Sequence, residues 1–504
     1  MKKTAIVHPF FFSIFPILFL FTHNINELAF SDLIIPLSLA LILAAFLLFV
    51  GKFIFKENTK AGIVASIVII IFFSFGHILY AVEDYQIAHT SSFLILGMLI
   101  IVISCAILIQ KSKNKFSKLT KNLNVVSSMI IILSFINIGF YQINHHSIFN
   151  KNGRTNFSDN TNSESKDTSC SRDIYYIILD TYARNSTLND IYGYNNSAIT
   201  DTLSKKGFFI GNKSRSNYAM TFLSLASSLN MQYINHITNI EGINSIDRKL
   251  PYKMIENSNV MNLLKSKKYK FINLNSGWGP TNYNKNAENN VQYIGKWNSF
   301  NIALAKTTGL IVFINHFDLF GIDVRERILG TFSKLAEMPT IKGPKFIFAH
   351  IVCPHEPFVF GQNGESVQQN VNESISKQKV EFINQIIFLN KKISEVVDTI
   401  LSKSKVTPII IFQADHGTCT TFPNTNEWSN PTDINLKERL SIFNACLLPD
   451  GGNKLLYDSI TPVNSFRLIF NYYFKTHYPL LNDQSYFSTY VQPYKFINVT
   501  EKVR

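Results

Sequence analysis

The chain has 504 residues, 46% of them apolar, and a formal charge of +14. That length accommodates a membrane region plus one or two folded domains. The basic excess contains no compact Arg-rich or aromatic-interleaved patch, which excludes a nucleic-acid-binding reading, and the five cysteines match no zinc-cysteine spacing.

Apolar residues gather in the first third. Five stretches, 5–21, 33–50, 63–80, 93–109 and 125–141, carry almost no charge over roughly 17–20 residues, about what a helix needs to cross ~30 Å of hydrocarbon. Lys2 and Lys3 precede the first stretch. Lys52, Lys56 and Lys60 lie between the second and third, and Lys111, Lys113, Lys115, Lys118 and Lys121 between the fourth and fifth. The alternate loops, 22–32 and 81–90, hold no Lys or Arg. Because cytoplasmic loops retain basic residues, the pattern puts the N-terminus inside and everything after the fifth span outside. No small-residue cleavage site follows Phe21, so the first stretch reads as a span rather than a signal peptide.

Removing those ten lysines and the five acidic residues of the same region leaves the exported part at about +9, a surface suited to anionic lipid or a phosphorylated substrate, or simply a solvated one. Residues 143–172 are rich in Asn, Ser and Lys and read as a polar tether between a transmembrane region, 1–142, and an exported domain, 173–504. An oxidising compartment permits disulfides, and the four exported cysteines allow three pairings. Cys353 and Cys419 each lie close to a motif described below, which favours that pair.

Beyond the tether, short β-rich runs alternate with helical patterns, the signature of an α/β domain with a mainly parallel sheet. Strands are predicted at 174–179, 208–210, 270–274, 345–351, 407–412 and 442–448, and helices at 220–233, 260–266, 376–402 and 463–474. The fairly apolar stretch 300–320 contains Lys306, His316 and Asp318, so it suits a helix lying on the membrane or packed in the domain better than a sixth span.

Functional groups of parallel α/β sheets collect past the carboxyl ends of strands. Asp180 follows the apolar run Tyr-Ile-Ile-Leu, where a carboxylate either ligates a metal or caps the next helix. Asp415 and His416 follow a second apolar strand, and Gly417 supplies the turn that brings both side chains to one point. Their oxygen and nitrogen suit Zn²⁺ or Mn²⁺. In the third strand end, His350 still falls inside the strand and reads as a satisfied core residue. His355 lies beyond it between Pro354 and Pro357, placed for substrate binding or proton transfer. Thr221 opens an apolar, Ser- and Ala-rich helix. On its own it is an ordinary cap; beside a cation its hydroxyl becomes a nucleophile candidate at the positive end of the helix dipole.

Asp180 after its strand, Thr-x-x-Ser-x-Ala-Ser at 221–227, His355 in Pro-His-Glu-Pro-Phe, and Asp415-His416-Gly417 occur in the order of the alkaline phosphatase and sulfatase superfamily, which residues 173–476 resemble. In architecture the chain resembles lipoteichoic acid synthase and the lipid A phosphoethanolamine transferases, which carry five spans before an external catalytic domain. The resemblance implies a single divalent ion, Zn or Mn, held by Asp180, Thr221, Asp415 and His416. Thr221 would be the nucleophile, and His355 would bind the substrate phosphate or assist the leaving group. Arg184 and Asn217, beside these motifs, are candidate substrate contacts.

Departures narrow the choice. Sulfatases convert a Cys or Ser within Cys/Ser-x-Pro-x-Arg, whereas this chain has Thr221-Phe222-Leu223-Ser224-Leu225. Thr181 stands where sulfatases tend to pair a second Asp, and Thr418 where the phosphoethanolamine enzymes often carry Glu. The expectation is a multi-pass protein of a bacterial inner membrane with its catalytic domain on the outer side. It would transfer a phospho-headgroup from a phospholipid donor to an envelope glycan or glycolipid through a phospho-threonine. A phosphodiesterase or phosphatase of the same fold and a non-catalytic envelope scaffold are the alternatives.

Overall fold

The computed structural model describes residues 5–25, 28, 30–83, 90–152, 172–291, 299–317, 319–367, 374–422, 428 and 430–504. The chain divides into two compact units, one of residues 1–163 and 297–320, the other of 164–296 and 321–504. The division departs from the expected boundaries because the apolar stretch near residue 300 belongs with the N-terminal helices.

In the first unit, four helices among the described residues are long and apolar enough to cross a membrane: Ile34–Phe55, Asn58–Leu79, Ser92–Lys111 and Ser117–Phe140. The first apolar helix, His8–His23, is shorter; its 16 residues rise about 24 Å. None of the Ser92–Lys111 window is buried, and Phe93, Leu96, Leu99, Ile100 and Ile103 stand exposed, a surface that calls for lipid rather than water. The last helix continues to Asn152, ten residues into the expected tether; the rest of that tether, 153–171, lies outside the described residues.

Helices Ser299–Thr307 and Leu310–His316 fold back onto this bundle. The Gly309 N–H donates to Phe72 O at 2.9 Å, and the Phe300 ring meets Phe21 edge-on at 6.4 Å. Gly76 makes the approach possible: a Cβ there would lie 1.9 Å from Lys306 O. The stretch is therefore not a sixth span, but it packs on the N-terminal helices rather than in the exported domain as expected.

The second unit is built on a seven-stranded sheet of β1 (Ile174–Leu179), β2 (Phe209–Ile210), β3 (Lys270–Leu274), β4 (Asn289–Val291), β5 (Lys345–Ile351), β6 (Ile409–Gln413) and β7 (Asn444–Leu447), in the order β2-β7-β6-β1-β5-β3-β4. The run from β6 to β4 is parallel, while β7 and β2 close one edge antiparallel. All six residues of β1 are buried because both faces are covered. Ile174, Tyr176 and Ile178 join one core with the helix Thr221–Asn230; Tyr175, Ile177 and Leu179 join the other with Ile375–Lys403. β6 starts two residues later than predicted, since Pro408 has no N–H to give the ladder. A short antiparallel pair, β8 (Tyr486–Phe487) with β9 (Ile497–Asn498), lies apart from the main sheet.

The sheet's two faces also account for the cysteines. Cys353 sits in the core with Leu179, whereas Cys419 packs against the core on the opposite face. Both are free, as are Cys105 and Cys446, so the expected Cys353–Cys419 bridge is absent; Cys170 lies outside the described residues.

Candidate active site

β6, β1 and β5 are neighbours, and their register sets their carboxyl ends side by side: Ile178 pairs with His350 on one side and Gln413 on the other. Asp180, one residue beyond β1, donates its N–H to Ile351 O at 3.0 Å, and its own carbonyl receives the His355 N–H at 3.2 Å. Thr181 turns with φ of 66°, bringing its N–H 3.3 Å from Asp415 Oδ1. On the β6 side, Gly417 N–H donates to Arg439 O at 2.7 Å. A Cβ on Gly417 would lie 2.0 Å from Glu438 O, so glycine alone permits the turn that presents Asp415 and His416 together.

Ligand atoms of Asp180, His350 and Asp415 lie within 4.8 Å of one another, all buried. His350, read from sequence as a satisfied core residue, is thus part of the site: its Nε2 is 3.4 Å from Asp180 Oδ2. The Thr281 hydroxyl donates to Trp278 O at 3.0 Å and can accept Nδ1–H of His350 at 2.9 Å, which leaves the Nε2 lone pair facing the carboxylate. No sequence signal marked His350, because only the register of β5 against β1 shows how near it stands to Asp180.

Thr221, at the first turn of Thr221–Asn230 and partly exposed, has its Oγ1 2.9 Å from His416 Nε2. His416 Nδ1 lies 3.0 Å from Gly417 O, and Arg439 Nη2 lies 3.1 Å from Nε2. A carbonyl accepts and a guanidinium donates, so the ring carries its proton on Nδ1, and the unprotonated Nε2 shares its one lone pair between Arg439 and the Thr221 hydroxyl. Burial, then the Arg439 charge, hold the His416 imidazole well below its ordinary pKa, which keeps it neutral. That nitrogen also stands 3.2 Å from Asp415 Oδ2 and 3.9 Å from Asp180 Oδ1.

Arg439 was not anticipated. It is 3% exposed, stacks over Trp428 at 4.7 Å, and ties two segments together: Nε donates to Ala219 O at 2.7 Å and Nη1 to Gly417 O at 2.8 Å. One residue earlier, Glu438 Oε1 accepts from Thr418 at 2.6 Å, the Thr420 N–H at 2.9 Å and Tyr192 at 2.6 Å, while Oε2 accepts the Thr421 N–H at 2.9 Å. Thr418 therefore stands beside a carboxylate brought from the helix Asp433–Leu440.

His355 lies in the expected loop, partly exposed, with Nδ1 2.6 Å from Glu356 O. Burial opposes its charge, but Asp180 and the Glu356 carbonyl prevail and raise its pKa. Arg184 and Asn217 are placed otherwise than expected. Arg184 Nε donates to Ser186 at 2.7 Å, and the residue lines a cavity of about 380 Å³ that none of the clustered residues borders. Asn217 is fully buried; it donates to Gln484 O at 2.8 Å and accepts the Val463 N–H at 2.9 Å, leaving nothing for a substrate.

The donor set fits a divalent cation. Asp180 Oδ1, Asp415 Oδ2 and His350 Nε2 are buried with no hydrogen-bond partner, an arrangement costly unless something positive joins it. Burial and the neighbouring Asp180 push the Asp415 carboxyl up to about 7. Burial likewise opposes ionisation of Asp180, yet its carboxyl is held below the usual range, with His355 contributing most.

No protein-family model matches the chain, and no curated protein does. Solved structures do. The C-terminal periplasmic domain of EptC from Escherichia coli is 12% identical, with 66% of this chain and 94% of that chain covered and a TM-score of 0.40. The integral membrane lipooligosaccharide phosphoethanolamine transferase A from Neisseria meningitidis is 12% identical over 92% of this chain and 95% of its own, with a TM-score of 0.36. BT1596, a 2-O GAG sulfatase, is 14% identical over 61% of this chain and 72% of that chain, with a TM-score of 0.37. Likeness this loose does not fix chemistry, which rests on the site itself.

Proposed function

We propose that this chain is a membrane-resident phosphotransferase that moves a phospho-headgroup from a phospholipid to a hydroxyl of an envelope glycan or glycolipid. The observation that carries the reading is the 2.9 Å contact of Thr221 Oγ1 with an unprotonated His416 Nε2, next to buried, unpartnered oxygens of Asp180 and Asp415. A capping threonine needs no imidazole; a nucleophile does. Helices long and apolar enough to cross a membrane support a lipid headgroup as the donor.

Asp180, Asp415 and His350 would hold a divalent ion, Zn or Mn, which when bound supplies Lewis-acid stabilisation of charge on phosphoryl oxygens. His416 Nε2 takes the Thr221 proton as Oγ1 forms its bond to the donor phosphorus. The bond from phosphorus to the lipid alcohol breaks, and that alcohol receives a proton from His355 Nε2, whose raised pKa suits an acid. In the second displacement the acceptor hydroxyl attacks phosphorus, gives its proton to His355, and Thr221 Oγ1 recovers its own from His416. Two in-line displacements retain configuration at phosphorus. His416, expected from sequence as a ligand, becomes the proton acceptor in this scheme.

The test is to follow headgroup-labelled phospholipids in bilayers containing the full chain, with and without a hydroxyl-bearing glycolipid. Label appearing on the glycolipid supports transfer. Label released as free headgroup phosphate regardless of acceptor identifies a hydrolase, and no turnover of any phospholipid overturns the reading.

A further inference from the structure

A second concave site lies in the globular unit, away from the Asp180 cluster. It is a cleft of about 1120 Å³ whose lining includes Lys213, Arg215, Lys502 and Arg504 with Asp483 and Glu501. The two acidic groups are already committed. Asp483 Oδ1 accepts from the Thr461 N–H at 3.1 Å, the Thr461 hydroxyl at 2.6 Å and Asn464 Nδ2 at 3.0 Å, while Glu501 pairs with Arg504 at 3.0 Å. Lys502 reaches Asp433 only at 3.9 Å.

Arg215 decides what the cleft is for. It is 4% exposed, its Nε has no partner, and its guanidinium makes a single long hydrogen bond, Nη2 to Asp483 O at 3.5 Å. Among the described residues neither Arg215 nor Lys213 pairs with a carboxylate. The Asp483 and Glu501 carboxylates act on this guanidinium only through space, and the planar fork left without a direct partner matches two oxygens of one anion. A structural arginine would be expected to resemble Arg439, which uses all three of its nitrogens.

We infer that this cleft binds an anionic group of the phosphate class, with Arg215 as the buried fork and Lys213 and Arg504 as flanking charges. None of its lining residues belongs to the Asp180–His350–Asp415 group, so the site is separate from the one proposed for chemistry.

The test is a ³¹P NMR titration of inorganic phosphate into the full, metal-free chain in phosphatidylcholine nanodiscs, where the bare carboxylates of the cluster repel phosphate. Saturable binding is expected, weakened about tenfold or more by Arg215→Met, since losing a charge-assisted hydrogen bond is worth roughly that factor. Should Arg215→Met fail to fold, the exposed pair Lys213→Gln/Arg504→Gln is expected to weaken binding similarly. Repeating the titration in nanodiscs containing phosphatidylglycerol identifies the source of the anion. Weaker apparent phosphate affinity there means a lipid headgroup competes for the cleft, and unchanged affinity means a soluble phosphate. Absence of saturable binding, or binding that the folded variants leave unaltered, overturns the assignment.

Discussion

Arg439→Lys isolates the contribution of the guanidinium fork. Arg439 holds three acceptors on two segments: Ala219 O just before the Thr221 helix, Gly417 O, and His416 Nε2. Lysine keeps the charge but can satisfy only one of them. Hydrogen bonds from a charged group contribute roughly 1.5–3 kcal/mol each, so losing two costs about 3–6 kcal/mol, a fall in melting temperature of roughly 10 °C. Loss of a partner that orients an active-site imidazole typically costs about 10–100-fold, and this loss should fall on kcat with KM little changed. Arg439→Met adds a second readout. The guanidinium helps burial keep His416 unprotonated, so removing it raises the His416 pKa, and activity should begin to fall at higher pH on the acid side. Headgroup-transfer kinetics across pH, alongside thermal unfolding, measure both. A Met variant that unfolds earlier but keeps the wild-type kcat and acid limb would refute the claim that Arg439 sets the state of His416.

Three further outcomes are expected. Glu438, despite burial, is held below its ordinary pKa by the hydroxyls of Thr418, Thr421, Tyr192 and Thr420. A depressed folded pKa adds stability above the unfolded value of about 4.5 that is lost as pH falls through the folded one, so Glu438→Gln should be destabilised at neutral pH and lose less than wild type on acidification, as urea midpoints will show. The cation must displace the proton that Asp415 keeps up to about 7, so metal affinity measured by calorimetry should weaken below that pH, with proton release. In the same assay His350→Asn should lose metal while His416→Asn keeps it; the opposite result would exchange the roles given to the two imidazoles.

Much of the sheet was legible because its strands are buried on both faces, so that Ile174–Leu179 appears as an uninterrupted apolar run and Lys345–Ile351 as one broken, after its opening lysine, only by His350. Asp180, Thr221, Asp415 and His416 could be singled out as candidates because strand-end and helix-start positions are local features. Partnership across strands and between distant segments was not local. His350 entered the site through the β1–β5 register, and Arg439 and Glu438 arrived from a helix some twenty residues past the Asp-His-Gly turn. Asn217 misled for the converse reason: adjacency to the Thr221 motif said nothing about its carboxamide pointing to Val463 and Gln484. The direction of β7 and β2 was also hidden, since a buried strand has the same pattern either way.

The central claim is that Thr221 Oγ1 attacks phosphorus, and intact-peptide mass spectrometry tests it most directly. The full chain is incubated with mixed phospholipids but no acceptor, quenched in acid and digested. A phospho-headgroup mass on the peptide containing Thr221, absent in Thr221→Ala and lost on adding acceptor, is the result predicted. Undiminished transfer by the Thr221→Ala protein would contradict the account.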